Sequence, residues 1–296
     1  MSLEGLNGLP EISGSHEGVS AEKKLDAFAG YADAYLALME TGPYWKTIYF
    51  DGFAGSGSRR AVKKPLHAEL KFTPEEEAGY KGAAERVIGL DRDFDYYYFV
   101  DDHQSLVKLK EKLCDISEAG RKRMIFRPEE CNRELERLSG AMHSDEFSSL
   151  LFLDPVGFSV SWQSIASFAG TRTGLWIVIQ TVTVVNRLLD PGGNPENFLR
   201  LGHFFGMAQE EMKDVLAVAE RNPGLFGEET VSEKINRSLF QIASLYVHQL
   251  KKHWRYVTDI PLALQGTGNV PSCTFIGASD NTAVHALAGR IVGREG

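Results

Sequence analysis

The chain has 296 residues, 43% hydrophobic and 24% charged, which is ample apolar material for one large core. Its net charge of −8 excludes a global basic footprint for nucleic acid, so any such contact must be local. No apolar run approaches the roughly 20 residues that span a bilayer, and the amino terminus lacks the basic-then-apolar pattern of a signal peptide. No membrane contact and a cytoplasmic location are therefore expected.

Residues 1–19 are rich in Gly and Ser without periodicity and read as an amino-terminal arm. The rest, 20–296, reads as a single α/β domain. Ser20 is a candidate N-cap for a helix to about Glu40, with Phe28, Ala32, Tyr35, Leu36 and Met39 on one face. The strand Lys46-Thr47-Ile48-Tyr49-Phe50 follows, closed by Asp51 and a loop carrying Gly52, Gly55 and Gly57. After it comes a long polar stretch to about Tyr80, locally basic at Arg59, Arg60, Lys63 and Lys64. It reads as a lid, a substrate loop or simply a solvated loop. A helix near Gly82–Leu90 leads to the strand Tyr96–Val100, which ends on Asp101-Asp102-His103. Leu106, Leu109 and Leu113 repeat at helical spacing before a short strand, Met124–Phe126, and Glu129-Glu130-Cys131-Asn132. A helix with Leu135 and Leu138 precedes the strand Leu150–Leu153, which ends on Asp154-Pro155. Trp162, Ile165 and Phe168 fit the next helix, and Leu175–Ile179 a fifth strand. Strands alternating with helices at this interval indicate βαβ units and a mostly parallel, doubly wound, Rossmann-like sheet. Segments broken by glycine and proline from about 191 to 236 read as a helical insertion. Ile242, Leu245, Tyr246 and Leu250 then belong to an amphipathic helix, and two late strands, Tyr256–Leu264 and Cys273–Gly277, form an antiparallel pair at the sheet edge.

Three strands thus end in acids: Asp51, Asp101 with Asp102, and Asp154. In a parallel sheet all carboxyl ends lie on one side, so these acids converge on one crevice, where α/β folds bind ligands. The glycines beside Asp51 serve either positive φ or close approach of a ligand to the backbone. The loop lacks the lysine of a phosphate-cradling P-loop, and its glycine order differs from the dinucleotide fingerprint. Asp51 would repel a pyrophosphate but suits a positively charged group, such as the ammonium of S-adenosylmethionine. A second-strand carboxylate suits the vicinal hydroxyls of a ribose. Cys114, Cys131 and Cys273 are odd in number and never in a C-x-x-C pair, so they read as plain thiols. The histidines show no metal spacing, and no metal is predicted.

The phrase Asp51-Gly52-Phe53-Ala54-Gly55-Ser56-Gly57 resembles the element after the first strand of class I S-adenosylmethionine-dependent methyltransferases, especially the amino-methylating branch. Together with Phe99-Val100-Asp101 and Phe152-Leu153-Asp154-Pro155-Val156-Gly157, it is similar to the three-Cys-motif partner family of bacterial proteins. The resemblance implies a cofactor, S-adenosylmethionine, with Asp51, Gly52, Phe53, Gly55 and Gly57 at its methionine end. It implies Asp101, seconded by Asp102, at the ribose and Asn132 or Glu130 near the adenine. Asp154-Pro155 would stand where amino-methyltransferases carry Asp-Pro-Pro-Tyr and polarise an acceptor amine beside a stacked base. Here Val156 and Gly157 replace the second proline and the aromatic, and Phe158 is displaced by one position.

The expected function is accordingly methyl transfer to an amine on nucleic acid or another macromolecule. One alternative is a non-catalytic module acting with a three-Cys-motif partner protein. Another is a metal-dependent nuclease with Asp51, Asp101 and Asp154 as ligands. Bland readings stand beside these: Asp154 as an Asx turn, Asp102 as a helix start, and Lys251–Tyr256 as the cation-rich end of a helix rather than a nucleic-acid surface.

Overall fold

A computed structural model describes residues 21–42, 44–55, 81–114, 123–155, 157–179, 195–208, 210–211, 242–258, 262–265, 271–284 and 286. The arm at 1–19, Ser20, Gly57, the basic stretch to residue 80, Val156 and most of the segment 191–236 lie outside them.

Chain order within the described residues is α1 (Ala21–Glu40), β1 (Lys46–Asp51), α2 (Ala83–Ile88), β2 (Tyr96–Val100), α3 (His103–Cys114), β3 (Met124–Arg127), α4 (Cys131–Met142), β4 (Phe147–Leu153), α5 (Trp162–Ala166), β5 (Thr173–Ile179) and α6 (Pro195–Phe205). A helix over 242–251, α7, then precedes β6 (Tyr256–Val257), β7 (Leu262–Gln265) and β8 (Pro271–Ser279). These strands form one sheet in the order β3-β2-β1-β4-β5-β8-β6, with β7 also on β8. The first five run parallel. β8 pairs antiparallel with β5, and both β6 and β7 pair antiparallel with β8. The fold is therefore the expected α/β type, a mostly parallel sheet with an antiparallel pair at one edge. No helix among the described residues is long and apolar enough to cross a membrane.

The central strands are apolar on both faces, as parallel strands covered by helices must be. On one face, α1 lays Phe28, Tyr31, Tyr35 and Met39 over Tyr49, Phe99, Phe152 and Trp176. This layer is dense in rings: Phe28 lies 4.5 Å from Phe152, and Tyr31 meets Trp176 edge-on at 5.0 Å. On the other face, Leu135 and Leu138 of α4, Leu201, Phe204 and Phe205 of α6, and Tyr246 and Leu250 of α7 cover Ile48, Phe50, Leu151 and Ile177. The described part of the 191–236 segment thus contributes core residues.

β4 begins three residues before the apolar run that marks it, at Phe147. Ser148 and Ser149 are buried in the strand, which is tolerable because each hydroxyl has a partner. Tyr35 Oη lies 2.6 Å from Ser148 Oγ, and Ser149 Oγ lies 2.9 Å from Thr173 Oγ1. The single late strand expected over Tyr256–Leu264 divides into β6 and β7, and residues 259–261 between them lie outside the described residues.

Candidate functional site

Strand order reverses between β1 and β4, so the crevice at their carboxyl ends is the topological switch point of the sheet. Asp51 closes β1 there, and Asp154 follows the last residue of β4. Side chains alternate along a strand, which puts Asp51 on the face of Tyr49, under α1. Asp51 is 1% exposed. Its Oδ2 accepts the Tyr49 hydroxyl and its Oδ1 the Phe53 N–H, both at 3.3 Å. Burial pushes its carboxyl up to about 7, and the charges of Asp154 and Asp101 push the same way against those two hydrogen bonds. Tyr49 escapes notice in the sequence except through its two-residue spacing from Asp51, which alone puts both on one face.

The loop after β1 is pinned to both neighbouring strands. Gly52 N–H donates to Phe152 O at 3.0 Å, and Ala54 N–H to Val100 O at 3.1 Å. Gly55, with φ of 64°, sits in the left-handed region that favours glycine. Its N–H donates to Asp101 Oδ2 at 2.8 Å, so the acid ending β2 and the glycine loop ending β1 form one unit. Asp101 Oδ1 accepts the Asp102 N–H at 2.7 Å. Gly52 has a different reason for being glycine. A Cβ there would lie 2.6 Å from Leu153 Cδ2 and 2.8 Å from Cys131 Sγ. Packing beneath the loop demands it. Phe53 is partly buried against the α4 side of the core.

Asp102 takes the start of α3: its Oδ1 accepts the Ser105 N–H at 2.9 Å and its Oδ2 the Ser105 hydroxyl at 2.6 Å. These bonds hold its carboxyl down at about 2. Glu130 is the N-cap of α4, accepting from the N–H groups of Asn132 and Arg133. The Asn132 side chain reaches across to the loop after β4. Its amide donates to Ser159 O at 2.8 Å, and its Oδ1 accepts the Ser161 N–H at 2.7 Å. This ties the β3–α4 turn to the Asp154-Pro155 loop. Such a clamp has no signature in sequence, because its partners are 27 and 29 residues away.

Asp154 is exposed and Pro155 buried. Gly157 follows with φ of 71°, and Phe158 turns inward, its ring 5.5 Å from Phe204 of α6. Among the described residues no three His, Cys, Asp or Glu side chains are grouped to hold a metal ion. Asp51, Asp101 and Asp154 are accordingly not such a group.

A cavity of about 340 Å³ lies at the opposite, amino edge of the sheet, walled by Tyr35, Trp45, Ser148, Arg172, Thr173 and Asn281. The segment Lys251–Arg255 enters β6 at that same edge: Arg255 N–H donates to Asp280, which also accepts the Gly170 N–H just before β5. Arg255 is thus far from the acids. Its cation lies 5.5 Å from the Tyr256 ring.

No family model and no curated protein matches the sequence. Among solved structures, protein LPL1258 from Legionella pneumophila str. Philadelphia 1, titled with family-model DUF519, aligns over 91% of this chain and 92% of that chain. The identity is 10% and the TM-score 0.46. At that level of likeness nothing about activity, ligand or partner transfers.

Proposed function

We propose that this protein binds S-adenosylmethionine at the carboxyl edge of β1 and β2 and is of methyltransferase type. The observation that carries the reading is the unit formed by Asp51, the left-handed Gly55 and Asp101 at the switch point of the sheet. A phosphate-binding loop presents N–H groups to an anion. Here the Gly55 N–H is given to a carboxylate instead, and a second carboxylate stands behind the loop. The charge of that arrangement suits a cationic nucleoside. Each carboxylate oxygen carries two lone pairs, so Asp101 can accept a ribose hydroxyl on an oxygen that already accepts a backbone N–H. Asp51 would face the methionine end across the loop, with Asn132 and Glu130 on the adenine side.

When bound, the cofactor supplies an electrophilic methyl group on a good leaving group, so the chain's own task is mainly positioning. Asp154, exposed beside this crevice, would orient the acceptor amine, and Pro155 would hold the turn that presents it. The inward packing of Phe158 on Phe204 disfavours a flipped base stacked on that ring. The same observation favours a second reading, a non-catalytic module that keeps the cofactor site and works with a three-Cys-motif partner protein.

Titration calorimetry with S-adenosylmethionine tests the first step. Saturable heat is expected, and Asp101→Asn should weaken binding about tenfold, the effect of losing one charge-assisted hydrogen bond. No heat at millimolar cofactor, with an unchanged melting temperature, would sink the reading. Labelled-methyl transfer into nucleic acid and protein fractions separates the two readings. Binding without any acceptor leaves the non-catalytic module.

A further inference from the structure

We infer that Asp51 is the charge-selecting group of this site: it holds a proton in the empty protein and releases it when a ligand presents positive charge on the Gly55 loop. The inference rests on the cofactor reading above and adds what binding does to the protein. Its basis is the surroundings of the carboxylate. It accepts the Tyr49 hydroxyl of β1 and the Phe53 N–H of its own loop, and within electrostatic range lie Asp101 at the end of β2, Asp154 after β4 and the buried Cys131 thiol of α4. Two of these are neutral donors, two are acids, and the fifth is a thiol that burial and the surrounding acids keep protonated. None carries positive charge.

A carboxylate that is 1% exposed and has no cationic partner among the described residues is costly to ionise. Its ordinary remedy is to keep its proton. A cation settling on the other side of the loop supplies the missing charge at short range, where screening by water is weak. Ionisation then becomes favourable and the proton leaves for solvent. The free group titrates near 7, so the coupling operates at neutral pH. Apparent affinity should be constant above about pH 8 and fall by up to about tenfold per unit as the pH drops below the free group's midpoint. A ligand of the same shape without positive charge gains nothing from this.

The test is calorimetric titration of the intact protein with S-adenosylmethionine at pH 7 in buffers that differ in ionisation enthalpy. S-adenosylhomocysteine, which keeps the ammonium and lacks only the sulfonium charge, is titrated in parallel to show which of the two cations drives the release. Relative to Asp51→Asn, the wild-type protein should release about half a proton more per cofactor at pH 7, a difference that vanishes near pH 9. Asp51→Asn should remove that release while binding persists, which also subtracts any titration of the cofactor's own amine. Tyr49→Phe, which deletes a hydrogen bond that favours the ionised form, should move the pH midpoint of binding upward. Binding with the same buffer slope in wild type and Asp51→Asn, or a midpoint unmoved in Tyr49→Phe, would overturn the inference while leaving the cofactor reading intact. Absence of binding heat in every buffer removes the cofactor reading and this inference with it.

Discussion

The two edges of the sheet handle polarity in opposite ways. At the amino edge the polar contacts at the starts of β1, β4 and β5 are matched pairs. Asp95 accepts from the N–H and hydroxyl of Thr47 at 2.8 and 3.1 Å, Tyr35 meets Ser148, and Thr173 meets both Ser149 and Thr171. Arg172 donates to Phe147 O at 3.1 Å and to Asp145, and its cation lies 5.5 Å from the Trp45 ring. At the carboxyl edge, three acids gather around one loop, one of them buried, and a glycine takes a left-handed backbone to meet one of them. Interactions that satisfy each other hold a fold together. Groups left at odds with their surroundings mark the place where something else is meant to complete them. The cavity at the amino edge, with hydroxyls on its wall already paired, belongs to the first kind.

The largest expected effect that sharpens this contrast is on Asp51. Its folded-state value, near 7, lies above that of a free carboxylate, so between about pH 4 and pH 7 the folded protein binds the extra proton. Stability from this group is full below about pH 4 and is lost as the pH rises through the folded value. Asp51→Asn keeps one of the two acceptor contacts, its amide oxygen standing for one carboxylate oxygen, and removes the titration. Relative to wild type it should gain about 4 kcal/mol between pH 4 and pH 8, read from urea unfolding at both values. A difference independent of pH would break the contrast, because it would make Asp51 one more satisfied polar group.

Next in size is Gly52→Ala. The new methyl group meets Leu153 and Cys131 well inside contact distance, and overpacking of this kind costs about 2 kcal/mol. A melting curve measures it. An unchanged melting temperature would mean that the floor of the loop yields more easily than its packing indicates.

Tyr35→Phe probes the amino edge. It removes a buried hydroxyl bonded to Ser148 and should cost about 1 kcal/mol. Affinity for S-adenosylmethionine, the cofactor proposed above, should not change. Altered affinity would show that the two edges are coupled through α1. The smallest effect belongs to Asp102→Ala at the start of α3, a cap worth about 1 kcal/mol or less. Because its carboxyl is held down at about 2, the contribution of Asp102 is present above about pH 4 and lost as the pH falls through 2. The wild-type advantage in acid unfolding experiments should fade over that interval.

The sequence by itself determined the order of strands and helices, the parallel character of β1 to β5, the antiparallel pair at the edge, and the placement of Asp51, Asp101 and Asp154 at one edge of the sheet. These follow from local periodicity and from the rule that βαβ units send all carboxyl ends the same way. Only the tertiary structure decided what each residue there does. Gly52 is glycine because Leu153 and Cys131 lie beneath it, whereas Gly55 is glycine because of its backbone. Glu130 and Asp102 cap helices, and Asn132 clamps a loop more than 25 residues away. Phe158 is drawn inward by Phe204. The early start of β4 was hidden for the same reason, since Ser148 and Ser149 look like turn residues until Tyr35 and Thr173 arrive to pair with them. Periodicity is a property of neighbours along the chain, and it survives in a string of letters. Capping, packing and the ionisation of Asp51 are set by partners that only folding brings near.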